Sequence, residues 1–145
     1  MSERLAQRVA LLATVDPYGV SSTQTITCDT IDASLYDSLM FVMSIGNITS
    51  SGKITMTVYK GTATGTISSA VATVTSPQAL TPDKQFIVDV DVSAEGSYRY
   101  YKGVMVANDE TTTGGAIASM HVFGSKARFH PASDNDLASV SITYA

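Results

Sequence analysis

The sequence is poor in several features, and each shortage narrows what the protein can be. It has one cysteine, Cys28, so no disulfide can form within the chain and no zinc site can be built from cysteines. No apolar run approaches the roughly 20 residues that a membrane-spanning helix needs. The N-terminus also lacks the apolar core and the cleavage site of a secretory signal. We therefore expect a soluble protein that is made in the cytoplasm.

Charged residues are also scarce. They make up 15% of the chain, against roughly 25% in an average globular protein. The formal net charge at pH 7 is −4. Because phosphate contacts require clustered lysine and arginine side chains, this acidic balance argues against a protein that binds nucleic acid in general.

The chain does contain a clear β pattern: short segments rich in valine, isoleucine, threonine and aromatic residues, separated by turn residues. Residues 84–93, KQFIVDVDVS, and residues 53–60, KITMTVYK, alternate as half-buried strands do. Residues 38–45, SLMFVMSI, are almost continuously apolar, so we expect this strand to be covered on both faces. We count about eight strands in a single domain, as in a two-sheet sandwich or jelly roll.

The segment SYRYYKGVMVAN combines tyrosines with cations. As a strand it places Tyr98, Tyr100 and Lys102 on one face, and Arg99 and Tyr101 on the other. Sheets that bind RNA display aromatic and basic side chains in this way. Because the overall charge is negative, we favour tyrosines that pack at the rim of the sandwich or against a neighbouring subunit.

Two carboxylates, Asp89 and Asp91, share one face of a predicted strand and could hold calcium or transfer protons. We favour a solvated strand face, because no third acidic ligand and no glycine-containing calcium loop accompany them. His121 and His130 match no metal-binding spacing, and we interpret His121 as a packed or interface residue.

No other motif predicts catalysis. The thiol of Cys28 lies beside Asp29, which raises a thiol pKa, so it is interpreted as a small strand residue. The chain contains neither a GxSxG segment nor a phosphate-binding GK[ST] loop. We therefore expect no enzyme, no cofactor and no bound metal.

The N-terminal segment SERLAQRVALLA allows two interpretations. A helix would place Leu5, Val9 and Leu12 on one face, and periodicity alone slightly favours it. An extended arm that ends at Asp16 and Pro17 fits equally well. A helix this short is marginal unless it packs on a surface.

Four segments taken together resemble a known group of proteins: RVALLATVDP, TIDASLYDSLMFVMSIGNI, KITMTVYKG and GSYRYYKGVMVANDETTTGGAIASMHVFGSKARFHPAS. In layout and texture they resemble the small capsid decoration, or cement, proteins of tailed bacteriophages. The resemblance covers the chain from about Arg8 to Ser133, and it includes no catalytic motif.

The resemblance implies an all-β, jelly-roll-like antiparallel β-sandwich of about eight strands with an extended N-terminal arm. Residues 1–20 would be the arm, or an edge strand, and residues 21–145 a single β-sandwich domain. It implies a homotrimer, made in the host cytoplasm, that binds and stabilises the major capsid protein on the outer surface of the virion. From the charge balance and the short apolar runs we expect no nucleic acid and no membrane as a partner.

The resemblance supplies no functional residues, so the candidates rest on hydrophobicity and expected exposure. The oligomer interface would use one of two strands, with the candidates Met40, Phe41, Val42 and Met43, or Tyr98, Tyr100 and Tyr101. Binding to the capsid would use the loops at the strand ends and the N-terminal arm, with the candidates Leu5, Val9, Leu11 and Leu12.

Two alternatives remain open. In a carbohydrate- or receptor-binding β-sandwich, Tyr98, Tyr100 and Tyr101 would stack on sugar rings, while Asp89 and Asp91 would accept hydrogen bonds from hydroxyl groups. The absence of tryptophan weakens this alternative. The chain could also be a small tail or neck component of a virion.

Overall fold

The structure is a computed structural model, and it describes residues 8–21, 24–46, 48, 52–76, 84–108 and 115–128. The strands in these residues are β1 (Ala10–Ser21), β2 (Gln24–Thr27), β3 (Ile31–Asp32), β4 (Tyr36–Ile45), β5 (Lys53–Gly61), β6 (Ser69–Thr75), β7 (Lys84–Asp91), β8 (Tyr100–Asn108) and β9 (Gly115–Ala127). Two short 3-10 turns, Ala33–Leu35 and Val92–Glu95, precede β4 and β8. In the described part of the chain, no helix has the length and apolarity to cross a membrane.

The strands form two antiparallel sheets. Sheet A has the order β1-β9-β4-β7, and sheet B has the order β2-β8-β5-β6, with β3 also paired to β8. Strands that follow one another along the chain mostly alternate between the sheets, and this order is that of a jelly roll. The predicted all-β antiparallel sandwich is therefore confirmed.

The core lies between the two sheets, and strand alternation fills it from both sides. On β7, Phe86, Val88 and Val90 turn inward while Ile87 and Asp89 turn outward, as predicted. The largest fully buried side chains come from β4, β5, β7, β8 and β9: Tyr36, Tyr101, Phe41, Leu39, Met43, Ile45, Ile54, Met56, Met105, Met120, Val58 and Val90.

Strand β4 differs from its prediction. Leu39, Phe41 and Met43 have no exposed surface, whereas Met40 is 36% exposed and Val42 is half-buried. The strand is therefore covered on one face by sheet B and not on both faces. Inward and outward residues alternate along β4, but the sequence does not show this because several outward residues are apolar as well.

Among the N-terminal residues that the structure describes, Arg8 is helical, Val9 is irregular, and the chain is extended from Ala10 onward. Of the predicted arm the structure describes residues 8–20, and residues 10–20 belong to β1, the edge strand of sheet A that pairs with β9. The side chains of Ala10 and Ala13 are fully buried in the core, so this stretch is part of the sandwich. Residues 1–7, His130 and the predicted last strand LASVSITYA lie outside the described residues.

Candidate interaction surface

The outward face of sheet A, turned away from sheet B, is the most apolar exterior region of the described residues. The large apolar side chains with the greatest exposure all lie there: Met40 at 36%, Ile87 at 58% and Ile117 at 60%. We call this face the sheet A surface, and its members are Leu11, Met40, Val42, Ile87, Ile117, His121 and Phe123.

Strand register arranges these side chains in rows across the sheet. In one row Leu11 lies opposite Phe123, and Phe123 lies opposite Met40. In the next row His121 lies between Thr14 and Val42, and Val42 lies opposite Ile87. Side chains directly opposite each other in a sheet are in contact range, so the apolar groups of these two rows adjoin. Ile117 lies on the same face beyond a third row, which consists of Gln85, Ser44 and Ser119.

Charge is confined to the border of this patch. Between residues 38 and 44 of β4 and between residues 117 and 125 of β9, the outward positions carry no charged residue. Besides the apolar members and His121 they are serines: Ser38, Ser44, Ser119 and Ser125. The half-buried Asp37 and the exposed Lys126 lie at the end of these two strands. The nearest carboxylates belong to the edge strand β7. A patch with an apolar centre and a polar border is the usual anatomy of a protein interface.

The two carboxylates of β7 have structural partners. Asp89 accepts a hydrogen bond from the hydroxyl of Ser38 at 3.1 Å. Asp91 accepts one from the backbone N–H of Ser93 at 3.0 Å and caps the 3-10 turn, and its bonds to Ser93 lower its pKa. The described residues contain no group of three side chains that could hold a metal ion. Both carboxylates are exposed, as expected of a solvated strand face.

The structure divides the first set of interface candidates. Met40 and Val42 lie on the sheet A surface, but Phe41 and Met43 are core residues with no exposed surface. Neighbouring residues of a strand point to opposite sides of the sheet, so four consecutive residues cannot all face a partner.

The tyrosine candidates are divided in the same way. Tyr101 is fully buried in the core, whereas Tyr98 and Tyr100 are half-buried. The ammonium of Lys60 lies 4.3 Å from the centre of the Tyr98 ring, and the guanidinium carbon of Arg99 lies 5.2 Å from that of Tyr100. Both rings therefore already contact cations of their own chain.

The capsid-binding candidates separate as well. Leu11 lies on the sheet A surface, so it joins Met40 and Val42 in a single patch. A bulge after Leu11 turns Leu12 inward, where it packs close to Gly124. Val9 is half-buried just before β1, and Leu5 lies outside the described residues.

The combined sugar site of the carbohydrate-binding alternative is not formed. Asp89 and Asp91 lie on the outward side of sheet A, while Tyr100 lies on the outward side of sheet B. Tyr101 is buried. These side chains therefore cannot bind one sugar ring together.

A second surface lies on the outward side of sheet B, and it was not predicted from the sequence. Three T-x-T segments place their threonines in two matching rows there, with valines of β8 between them. The rows are Thr25, Val106, Thr55 and Thr75, and then Thr27, Val104, Thr57 and Thr73. The signal was present, because a T-x-T segment on a strand puts both threonines on one face.

Comparison with known proteins gives the fold. No protein-family model and no curated protein matches the chain. A chain in a solved structure of infectious bursal disease virus, Gx strain, has a TM-score of 0.55 and 17% identity, over 86% of this chain and 33% of that one. The PBSX exported protein XepA has a TM-score of 0.53 and 12% identity, over 100% of this chain and 46% of that one.

The chain thus spans about a third to a half of these longer relatives in structure. Identities this low show a shared fold alone.

Proposed function

We propose that the protein is a structural component of a virion, a capsid decoration or cement protein of a tailed phage. In this proposal three copies associate through the sheet A surface, and the trimer binds the major capsid protein on the outside of the shell. Such a role requires no active site and no cofactor. The same fold in a chain from a virus structure supports the proposal.

The observation that carries the proposal is the position of the exposed apolar residues. Met40, Ile87 and Ile117 are all on one face of one sheet, and the outward positions at residues 38–44 and 117–125 of the central strands carry no charge. Exposed apolar patches that have a polar border mark sites of association. Homo-oligomers with closed symmetry bury such a patch fully.

Binding to the shell is proposed for the region around the start of β1. Val9 is half-buried there, and Leu11 lies at the edge of the sheet A surface. A protein that binds the assembled shell, and not its free subunits, stabilises the shell by mass action.

The experiment is a native mass measurement of the purified protein, followed by co-sedimentation with shells of the phage that encodes it. We expect a trimer for the wild type and a monomer for Ile87→Glu, because the charge would have to enter an apolar contact. Ile87 is 58% exposed, so the substitution should leave the fold intact.

The matched control is Thr25→Glu, which adds the same charge to an exposed position on sheet B. It should remain trimeric and should still sediment with shells. A monomeric wild type that does not sediment with shells would contradict the proposal, as would an Ile87→Glu variant that assembles and binds like the wild type.

A further inference from the structure

Strand β6 is an edge strand that lacks the protection found on the other long edge strands. Among the residues that the structure describes it pairs only with β5, and its sequence, SAVATVT, has no charged residue, proline or glycine. The long edge strands of sheet A carry such groups: β7 contains Lys84 and Asp89, and β1 contains Asp16 and Pro17. Charges and prolines are what natural proteins use to prevent edge-to-edge pairing.

The hydrogen bonds of the β5–β6 ladder identify which groups of β6 point away from the sheet. The N–H of Ser76 donates to the carbonyl of Ile54, which lies directly opposite, at 2.9 Å. Bonded and non-bonded pairs alternate along antiparallel strands, so Thr75 and Thr73 are non-bonded to β5. Their backbone N–H and C=O groups therefore point outward from the edge of sheet B.

We propose that β6 pairs with β6 of a second copy of this chain, antiparallel, about a two-fold axis at Val74. In this arrangement Thr73 of one copy lies opposite Thr75 of the other, and each pair exchanges two backbone hydrogen bonds. Two sheets B would then join into one continuous sheet. The contact is isologous, because each copy contributes the same strand.

The axis is placed at Val74 by the shape of β6. A bulge leaves Val71 as an extra residue opposite the step from Val58 to Tyr59, which disrupts the ladder there. On the regular side of the bulge, Thr73 and Thr75 are the residues whose backbone N–H and C=O groups point away from β5. Pairing Thr73 of one copy with Thr75 of the other gives the outward groups of both residues a hydrogen-bond partner.

The side chains also match across this axis. Within the chain Thr55 and Thr75 already form a cross-strand pair, with their hydroxyl oxygens 3.0 Å apart, and Thr57 and Thr73 do so at 3.1 Å. The pairing between copies would extend each of these threonine rows into the second molecule. Threonine pairs of this kind stabilise a sheet.

This contact does not use the sheet A surface, so it stands apart from the proposed trimer and could join two trimers. The test is disulfide formation by Val74→Cys under a mild oxidant, read on non-reducing gels. At a non-bonded pair the two Cα atoms lie about 4.5 Å apart, within disulfide range. We expect covalent dimers well above the level of the wild type, whose Cys28 is buried.

Thr73→Cys is the matched control, because Thr73 is more exposed than Val74 but would lie diagonal to its own copy, about 7–8 Å away. It should cross-link much less. Stronger cross-linking by Thr73→Cys than by Val74→Cys would overturn the axis, and an absence of cross-linking by both would overturn the pairing.

A second variant tests the backbone groups. Thr73→Pro in the Val74→Cys chain removes an outward N–H without removing a bond to β5, and should reduce cross-linking about tenfold or more. Thr27→Pro on β2 removes an equivalent outward N–H from the opposite edge and should not reduce it. Equal cross-linking in these two variants would overturn the proposal.

Adding Ile87→Glu to the Val74→Cys chain distinguishes pairing of the β6 edges from association through the sheet A surface. Cross-linking that persists in this variant supports the edge pairing, whatever the native mass shows about the trimer. Cross-linking that disappears with Ile87→Glu, while Thr73→Pro has no effect, would assign the contact to sheet A and overturn the edge pairing.

Discussion

Gly124 of β9 packs directly against the ring of Tyr36 of β4. A Cβ atom at Gly124 would lie 2.8 Å from Cγ of Tyr36 and 2.7 Å from Cδ1 of Leu12. The Tyr36 side chain is fully buried in the core, so it is in contact with other side chains on all sides. We expect Gly124→Ala to lower the free energy of unfolding by about 1–3 kcal/mol, measured by urea denaturation.

Gly→Ala substitutions at two other glycines provide a comparison for the expected loss of stability. A Cβ atom at Gly65 would have no other atom within 4 Å, so Gly65→Ala should change stability by less than about 0.5 kcal/mol. At Gly103 the nearest atom is the flexible sulfur of Met120, so Gly103→Ala should cost less than Gly124→Ala. The reverse order would contradict the packing described for Tyr36.

The ion pair of Asp32 and Arg99 should make stability depend on pH. Nε of Arg99 donates to Oδ1 of Asp32 at 2.8 Å, and a second bond joins Nη2 to Oδ2. The Arg99 guanidinium lowers the pKa of Asp32 to about 2. Because the pKa is lower in the folded state, the stabilisation is present above about pH 4 and is lost as the pH falls toward 2.

The measurement is urea unfolding of the wild type and Asp32→Asn between pH 6 and pH 2. Asparagine can still accept the capping bond from the N–H of Ser34, so the variant isolates the charge. The stability difference should be small, since both side chains are partly exposed, and it should shrink below pH 4. A difference that persists unchanged in the Arg99→Gln background would contradict this assignment.

Tyr101 carries a buried hydroxyl that has no hydrogen-bond partner among the described residues. Burial raises its pKa to about 12, and Glu95 adds to this effect. Since an unpartnered buried hydroxyl destabilises a fold, Tyr101→Phe should leave stability unchanged or raise it by up to about 1 kcal/mol. Thermal and urea unfolding would check this, and a loss above about 1 kcal/mol would show that the hydroxyl has a partner.

Cys28 should be chemically inert in the folded protein. Burial raises the pKa of its thiol to about 11, so the reactive thiolate is rare at neutral pH. Labelling by iodoacetamide at pH 8 should therefore be slow and should rise with urea in step with unfolding. Fast labelling of the folded protein would contradict the buried position.

The same thiol accepts a hydrogen bond from the N–H of Gly103 at 3.1 Å. Cys28→Val would leave that buried N–H without a partner and should cost about 1–3 kcal/mol. Cys28→Ser keeps an acceptor and should cost less. Equal losses in the two variants would show that the hydrogen bond contributes nothing.

Sequence patterns predicted the strands where polar and apolar residues alternate. On β7 the inward valines and the outward aspartates were assigned correctly, because Asp89 and Val90 differ sharply in polarity. On β4 the alternation was hidden, since Met40 and Val42 are as apolar as Phe41. Periodicity cannot distinguish a strand buried on both faces from one whose exposed face is an apolar patch.

Local sequence patterns could not predict the order of the strands in the two sheets. Ala10 pairs with Gly124, and Tyr36 pairs with Ala127, so the sheets are held by residues far apart in the chain. Leu11 faces outward and Leu12 faces inward because of a bulge, and the bulge is apparent only from the pairing of β1 with β9. The candidate surface could therefore be assembled only after the register was known.

The pairing of β1 with β9 has a mechanical consequence. The two strands are antiparallel, and Ala10 lies opposite Gly124, so residues 8 and 128 leave sheet A at the same end. A force that pulls these two points apart would act perpendicular to the strands. It would break the hydrogen bonds between β1 and β9 one after another, beginning at this end. Tension applied through the broad faces of the sandwich would instead load the apolar contacts between the two sheets, because the ladder bonds lie within each sheet.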